Sequence, residues 1–151
     1  MDGSLNRILA ATDGSGDATL AVRAAADLST RAGAELHIVH VRKELPIWPG
    51  YPSSEYTRSA FEELAREQEE ETERLMERQA AEAKAEGANV AGTHSREGRP
   101  AERIAGLADE LGADLVVVGS RGLGTMKRLV VGSVSEGVVN LAPCPVLVVR
   151  G

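Results

Sequence analysis

The chain has a single cysteine, Cys144, in 151 residues, so no internal disulfide can form and one thiol cannot by itself build a zinc site. Aromatic residues make up only 3% of the sequence, and a core must therefore be assembled from Val, Leu, Ile and Ala rather than from large rings. No apolar run reaches the roughly 18 residues of a membrane-spanning helix. The opening Met1-Asp2-Gly3-Ser4-Leu5-Asn6-Arg7 enters a strand pattern without the layout of a signal peptide. A basic face of the kind that binds nucleic acid is missing as well, since the formal charge is −6. These absences predict a cytoplasmic protein that engages neither nucleic acid nor membrane.

What remains is an ordinary globular balance, 42% hydrophobic and 26% charged, of a length that suits one domain over residues 1–151. Short apolar runs alternate with helical patterns, the mark of βαβ units on a parallel sheet. The first strand is expected over Arg7–Thr12. The turn Asp13-Gly14-Ser15-Gly16 then leads to a helix over Asp17–Ala32, ended by Gly33. A second strand follows over Glu35–Val41. The stretch Pro46–Pro52, which holds the only Trp, Trp48, and Tyr51, reads as a loop.

A long helix is predicted over Ser54–Glu86, with Phe61, Leu64, Ala65, Leu75, Met76, Ala80 and Ala83 as its buried stripe. Its acidic run of Glu67, Glu69, Glu70, Glu71 and Glu73 reads as a solvated face. The third strand is short and polar, Asn89–His94, and Pro100 opens a third helix that ends near Gly112. The continuous apolar run of Asp114–Gly119 suits a strand covered on both faces. A long loop, a helix over Ser133–Ala142 and a last strand over Val146–Val149 complete the chain.

Five strands and four helices without repeat or linker make one doubly wound domain. Fold rules favour a five-stranded parallel sheet of order 3-2-1-4-5 with helices on both faces; pattern alone also allows 2-1-3-4-5. In the first order the winding reverses between strands 1 and 4, and ligands in open α/β sheets bind beyond the carboxyl ends of the strands at such a reversal. Two glycine-rich segments meet there, the Asp13–Gly16 turn and the loop after strand 4.

That loop reads Gly119-Ser120-Arg121-Gly122, nine residues, then Gly132-Ser133-Val134-Ser135-Glu136. Connections of this kind are usually about 2–6 residues, and this one is roughly twice as long. Gly119, Gly122 and Gly132 are expected to let the backbone lie close to a ligand. Ser133 with Glu136 three residues later has the pattern of a capping box at the last helix, whose free amides and dipole form an anion site. The hydroxyls of Ser133 and Ser135 are expected to add hydrogen bonds to phosphate oxygens, and Arg121, Lys127 and Arg128 supply positive charge nearby in an otherwise acidic chain. The sequence contains neither the P-loop pattern with its lysine nor the dinucleotide fingerprint. Gly137, inside the last helix, costs about 1 kcal/mol against Ala and is expected to loosen that helix.

With these residues in place, the chain resembles the ATP-binding universal stress proteins. The resemblance lies in Ile8-Leu9-Ala10-Ala11-Thr12-Asp13-Gly14-Ser15, in the spaced glycines Gly119, Gly122 and Gly132 with Ser133, and in the ending Ala142-Pro143-Cys144-Pro145-Val146-Leu147-Val148-Val149. It implies the 3-2-1-4-5 fold, binding of ATP or AMP, and a dimer. Ala11 and Val41 would then line the adenine pocket. Asp13, next to Thr12, would bind the ribose or sit near a divalent ion such as Mg²⁺ or Mn²⁺. Gly119, Gly122, Gly132 and Ser133 would hold phosphates, with Arg121 close by and Val134 and Ser135 helping at the helix start.

Three functional readings follow: a nucleotide-dependent sensor or regulator in stress response, a slow metal-dependent ATP hydrolase with Asp13 near the metal, or a dimeric interaction protein that binds no nucleotide. ATP, AMP and cyclic AMP share adenine and ribose contacts and are not separated by sequence. The histidines His37 and His40 have opposite parity on strand 2, so they do not make a metal pair, and His94 is not expected to add one. Cys144, between two prolines, reads as a small buried side chain. The last strand, Val146–Val149, is an apolar edge, and its pairing across a two-fold axis predicts a homodimer.

Overall fold

The computed structural model describes residues 3–43, 54–120 and 132–151. Trp48, Tyr51 and the rest of the Pro46–Pro52 segment lie outside the described residues, as do Arg121, Gly122, Lys127 and Arg128. The elements run β1 (Arg7–Ala11), α1 (Gly16–Ala32), β2 (Glu35–Arg42), α2 (Glu55–Ala85), β3 (Asn89–Glu97), α3 (Pro100–Leu111), β4 (Leu115–Gly119), α4 (Ser133–Leu141) and β5 (Val146–Val149). Every strand pairing is parallel and the order is β3-β2-β1-β4-β5, which removes the alternative 2-1-3-4-5.

Alternation along the central strands divides the core into two layers. Ile8 and Ala10 of β1, Leu36 and Ile38 of β2 and Val117 of β4 face α1 and α2, meeting Val22, Ala25 and Met76. Leu9, Val39, Val116 and Val118 face the other way, onto Ile104 and Leu107 of α3 and Val138 of α4. Helix α1 is set by its ends. The Ser15 hydroxyl accepts the Ala18 N–H at 3.2 Å, and Gly33 closes the helix with φ 68°, where a side chain would be strained.

Two expectations need correction, and one residue gains a role. Helix α2 has 31 residues and so a length of about 46 Å, while the eight residues of β2 span about 26 Å. The helix therefore outruns the sheet. Leu75, Met76, Ala80 and Ala83 are buried, but Leu64 is 45% exposed and Phe61 and Ala65 are only half-covered. Strand β3 runs three residues further than predicted, to Glu97. It is an edge strand with alternately exposed residues, so its polar side chains cost little there. Gly137 has a packing role beyond its helix propensity: a Cβ at that position would lie 2.6 Å from the Ala101 Cβ, so glycine is what lets α4 cross α3 closely.

His37 and His40 do point to opposite faces, yet His37 has a partner that strand parity within β2 does not reveal. A register shift between Leu36 and His37 brings His94 of β3 alongside, with His37 Nδ1 and His94 Nε2 3.0 Å apart and one proton shared between them. Glu35 approaches the other nitrogen of His37 at 3.5 Å, and Arg96 and Glu110 flank His94. Burial, then the neighbouring His37, then Arg96 hold the His94 pKa below its ordinary value of 6.5. The folded state thus favours neutral His94, and the unfolded chain takes up its proton first as pH falls. The associated stability is present above about pH 6.5 and is lost on descending toward the lowered folded value. The melting temperature should fall between about pH 7.5 and pH 5.5, and His94→Gln should flatten that dependence in a thermal-melt series. An identical slope in the variant would contradict the assignment.

Candidate functional site

Because all five strands run in parallel, their carboxyl ends share one edge of the sheet, and the connections leaving β1, β2, β3 and β4 start there. Between them lies a cleft of about 470 Å³, within the usual size of a small-molecule site. Its floor is apolar, formed by Ala11, Val39, Val41 and Val118 with Ile104 and Pro100 from α3. Thr12 and Asp13 close one side, and Gly119, Gly132, Ser133, Val134 and Ser135 form the other. Of the residues singled out from the sequence, Ala11, Thr12, Asp13, Val41, Gly119, Gly132, Ser133, Val134 and Ser135 line this one cleft. Arg121 and Gly122 fall outside the described residues.

Lys43 also lines the cleft, and sequence reasoning overlooked it. The signal was available: Val39, Val41 and Lys43 share one parity at the carboxyl end of β2, so a residue two beyond a pocket-lining valine belongs to the same face.

The chemistry at α4 differs from expectation in two respects. Gly132, not Ser133, is the N-cap, and no side chain caps the helix, so the capping box with Glu136 does not form. Glu136 donates its N–H to the Gly132 carbonyl as an ordinary helical bond. The first-turn amides of Ser133, Val134 and Ser135 have no intrahelical acceptor, because α4 begins at Ser133. They end against the cleft with the positive end of the helix dipole. Secondly, Ser135 is buried and its hydroxyl donates to the Gly119 carbonyl, so that proton is spent on tying α4 to the end of β4. Ser133 is exposed.

Gly119, which lines the cleft, has a reason for being glycine that the sequence did not show. A Cβ there would lie 2.8 Å from the Asp17 carbonyl carbon, 2.9 Å from its oxygen and 3.0 Å from the Ala18 nitrogen. What approaches Gly119 is the backbone of the first turn of α1. Next to it the Ser120 hydroxyl donates to Asp17 Oδ2 at 2.9 Å, and Gly132 N–H donates to the Ser120 carbonyl at 2.6 Å. Asp13 sits in a tight turn, its Oδ1 accepting the Ser15 N–H at 2.9 Å, while Gly14 takes φ 84°.

Among the described residues no group of three or more His, Cys, Asp and Glu side chains gathers as a metal site, and no helix is long and apolar enough to cross a membrane. Cys144 is half-buried rather than buried. Burial, reinforced by Asp114, raises its thiol pKa, which disfavours the reactive thiolate.

The glycine at 119 makes a measurable claim. Gly119→Ala forces backbone against backbone and should cost about 1–3 kcal/mol in urea unfolding. An unchanged midpoint would mean that α1 yields freely.

Comparison with known proteins agrees with this geometry. Residues 4–150 match the model of the universal stress protein family. The universal stress protein YxiE of Bacillus subtilis is 38% identical over 147 residues, covering 96% of this chain and 99% of that protein. Universal stress protein UspA from Lactobacillus plantarum superposes with a TM-score of 0.84 at 25% identity, over 99% of this chain and 100% of the other. A universal stress protein solved in complex with cAMP superposes with a TM-score of 0.69 at 26% identity, over 97% of this chain and 98% of that one. The chain belongs to the universal stress protein family.

Proposed function

We propose that the cleft binds ATP or a closely related adenine nucleotide and that the protein acts as a nucleotide-dependent sensor or regulator in stress response. The observation that carries this reading is the pairing of an apolar floor with an uncapped helix start in one cleft. Ala11, Val39, Val41 and Val118 suit the faces of a planar base. The amides of Ser133, Val134 and Ser135 suit a phosphate, because a helix N-terminus concentrates both N–H donors and positive potential. Asp13, on the remaining side, suits a ribose hydroxyl, and Lys43 adds a cation to a chain of net charge −6. The related protein solved with cAMP gives the adenine class further support.

A divalent ion fits this arrangement only as a partner of the phosphates. Mg²⁺ commonly takes one or two carboxylates and completes its shell with phosphate oxygens and water. Asp13 is the carboxylate in place for that role. The reading as a slow ATP hydrolase needs a water-activating group in addition, and nothing lining the described cleft other than Asp13 offers one.

Isothermal titration of nucleotide-free protein with ATP and Mg²⁺ should give saturable binding. Ala11→Leu, which places an isobutyl group on the apolar floor, should weaken it by about tenfold or more while the thermal melt stays cooperative. Absence of binding by the wild-type protein would sink the nucleotide reading. Release of phosphate that continues over many turnovers and disappears in Asp13→Asn would move the assignment to hydrolysis.

The same proposal includes a homodimer through β5. The strand Val146–Val149 is at the edge of the sheet, and Leu147, Val139 and Leu141 expose apolar surface on β5 and α4. Light scattering at micromolar concentration should return twice the chain mass, and Leu147→Lys should shift it toward the monomer. A wild-type monomer would count against the pairing.

A further inference from the structure

Four hydrogen-bonding contacts help to hold the turn that carries Asp13, and one of them comes from outside the cleft. Thr12 N–H donates to the Val39 carbonyl at 2.9 Å, Thr12 Oγ1 accepts the Gly14 N–H at 3.2 Å, and Asp13 Oδ1 accepts the Ser15 N–H at 2.9 Å. The first ties the end of β1 to β2, and the other two are local to the turn. The fourth is the contact of His40 Nδ1 with the Thr12 carbonyl at 2.8 Å. Val39 and Val41 face the cleft; His40, between them, faces the opposite side of the sheet, where its ring lines hollows with Glu71 and Thr72 of α2.

We propose that His40 is the positioning residue of the ligand site, acting through the sheet on the Thr12–Asp13 peptide; the ligand half of this inference rests on the nucleotide reading above. A carbonyl oxygen only accepts, so Nδ1 of His40 carries the hydrogen, whether the ring is neutral or charged. The peptide is planar and trans, so its C=O and N–H point in opposite directions. Holding the Thr12 carbonyl toward His40 therefore also fixes the direction of the Asp13 N–H, and with it the start of the Asp13 turn. Thr12 is buried, so its carbonyl has little water to fall back on. Without His40 the peptide is free to rotate toward another donor. Strand β1 cannot absorb that rotation, because β2 and β4 pair with it on both sides, and Asp13 moves instead.

The two ring nitrogens allow a clean test. The amide nitrogen of Asn reaches about as far as Nδ1, whereas that of Gln reaches to the position of Nε2; both are polar and near in size to His. In ligand-free protein, amide hydrogen exchange at Gly14 and Ser15 should quicken about three- to tenfold in His40→Gln and stay within about twofold of wild type in His40→Asn. Titration with ATP and Mg²⁺ should follow the same split, with weaker binding in the Gln variant and near-wild-type binding in the Asn variant. A residue that merely supports the fold would lower the melting temperature in both variants without separating them. Equal exchange in the two variants overturns the positioning role, and faster exchange with unchanged affinity overturns its link to the ligand. If wild-type protein binds no ATP, the nucleotide reading and with it the ligand half fall, while the exchange experiment still decides whether His40 sets the turn.

Discussion

The structure depends on one close approach, the contact between the end of β4 and the first turn of α1. At that point the winding of the sheet reverses, and a reversal leaves a gap unless something spans it. Gly119 lets the Asp17–Ala18 backbone come within van der Waals range, Ser120 ties to Asp17, and Ser135 ties α4 back to the Gly119 carbonyl. The joint therefore fixes three elements, and the cleft is the space they leave. Its polar groups need no separate scaffold, because the bonds that hold the fold together also aim the start of α4.

The same joint redistributes the roles assigned to individual residues. A serine that looks like a phosphate ligand can be spent on architecture, as Ser135 is, and a helix left without a side-chain cap can be the more useful anion site. Gly132 at the N-cap offers no oxygen to the first-turn amides of α4. The cost to the helix is about 1 kcal/mol at most, and it leaves donors for a ligand.

Much of this was legible in the sequence. The apolar runs of Ile8–Ala10 and Val116–Val118, with Leu36, Ile38 and Val39, announced buried parallel strands. The glycines at 33 and 112 marked helix ends that the structure places in the left-handed region. The meeting of the Asp13 turn with the Gly132–Ser135 segment followed from topology. Several of the misses share a cause, a distance between segments remote in sequence, whereas Lys43 and the cap of α4 were local matters. Gly119 and Gly137 are glycines because of neighbours, Asp17 and Ala101, that no local pattern names. The partnership of His37 with His94 needs an interstrand register and its irregularity. The fate of Leu64 depends on how far the sheet extends beneath α2, which helical periodicity cannot say.

The inner face of α1 is built almost wholly from Ala18, Ala21, Val22, Ala25 and Ala26, and this has an evolutionary consequence. Small side chains bring a helix axis close to a sheet, and a contact made that way has nothing left to trim. Replacement by anything larger must push two layers apart, and replacement by glycine trades away helix propensity. Drift at these positions is thus confined from above and below. Variation among relatives with this packing should collect on the outer surfaces of the helices and in the connections, leaving the α1 seam the slowest part of the molecule to change.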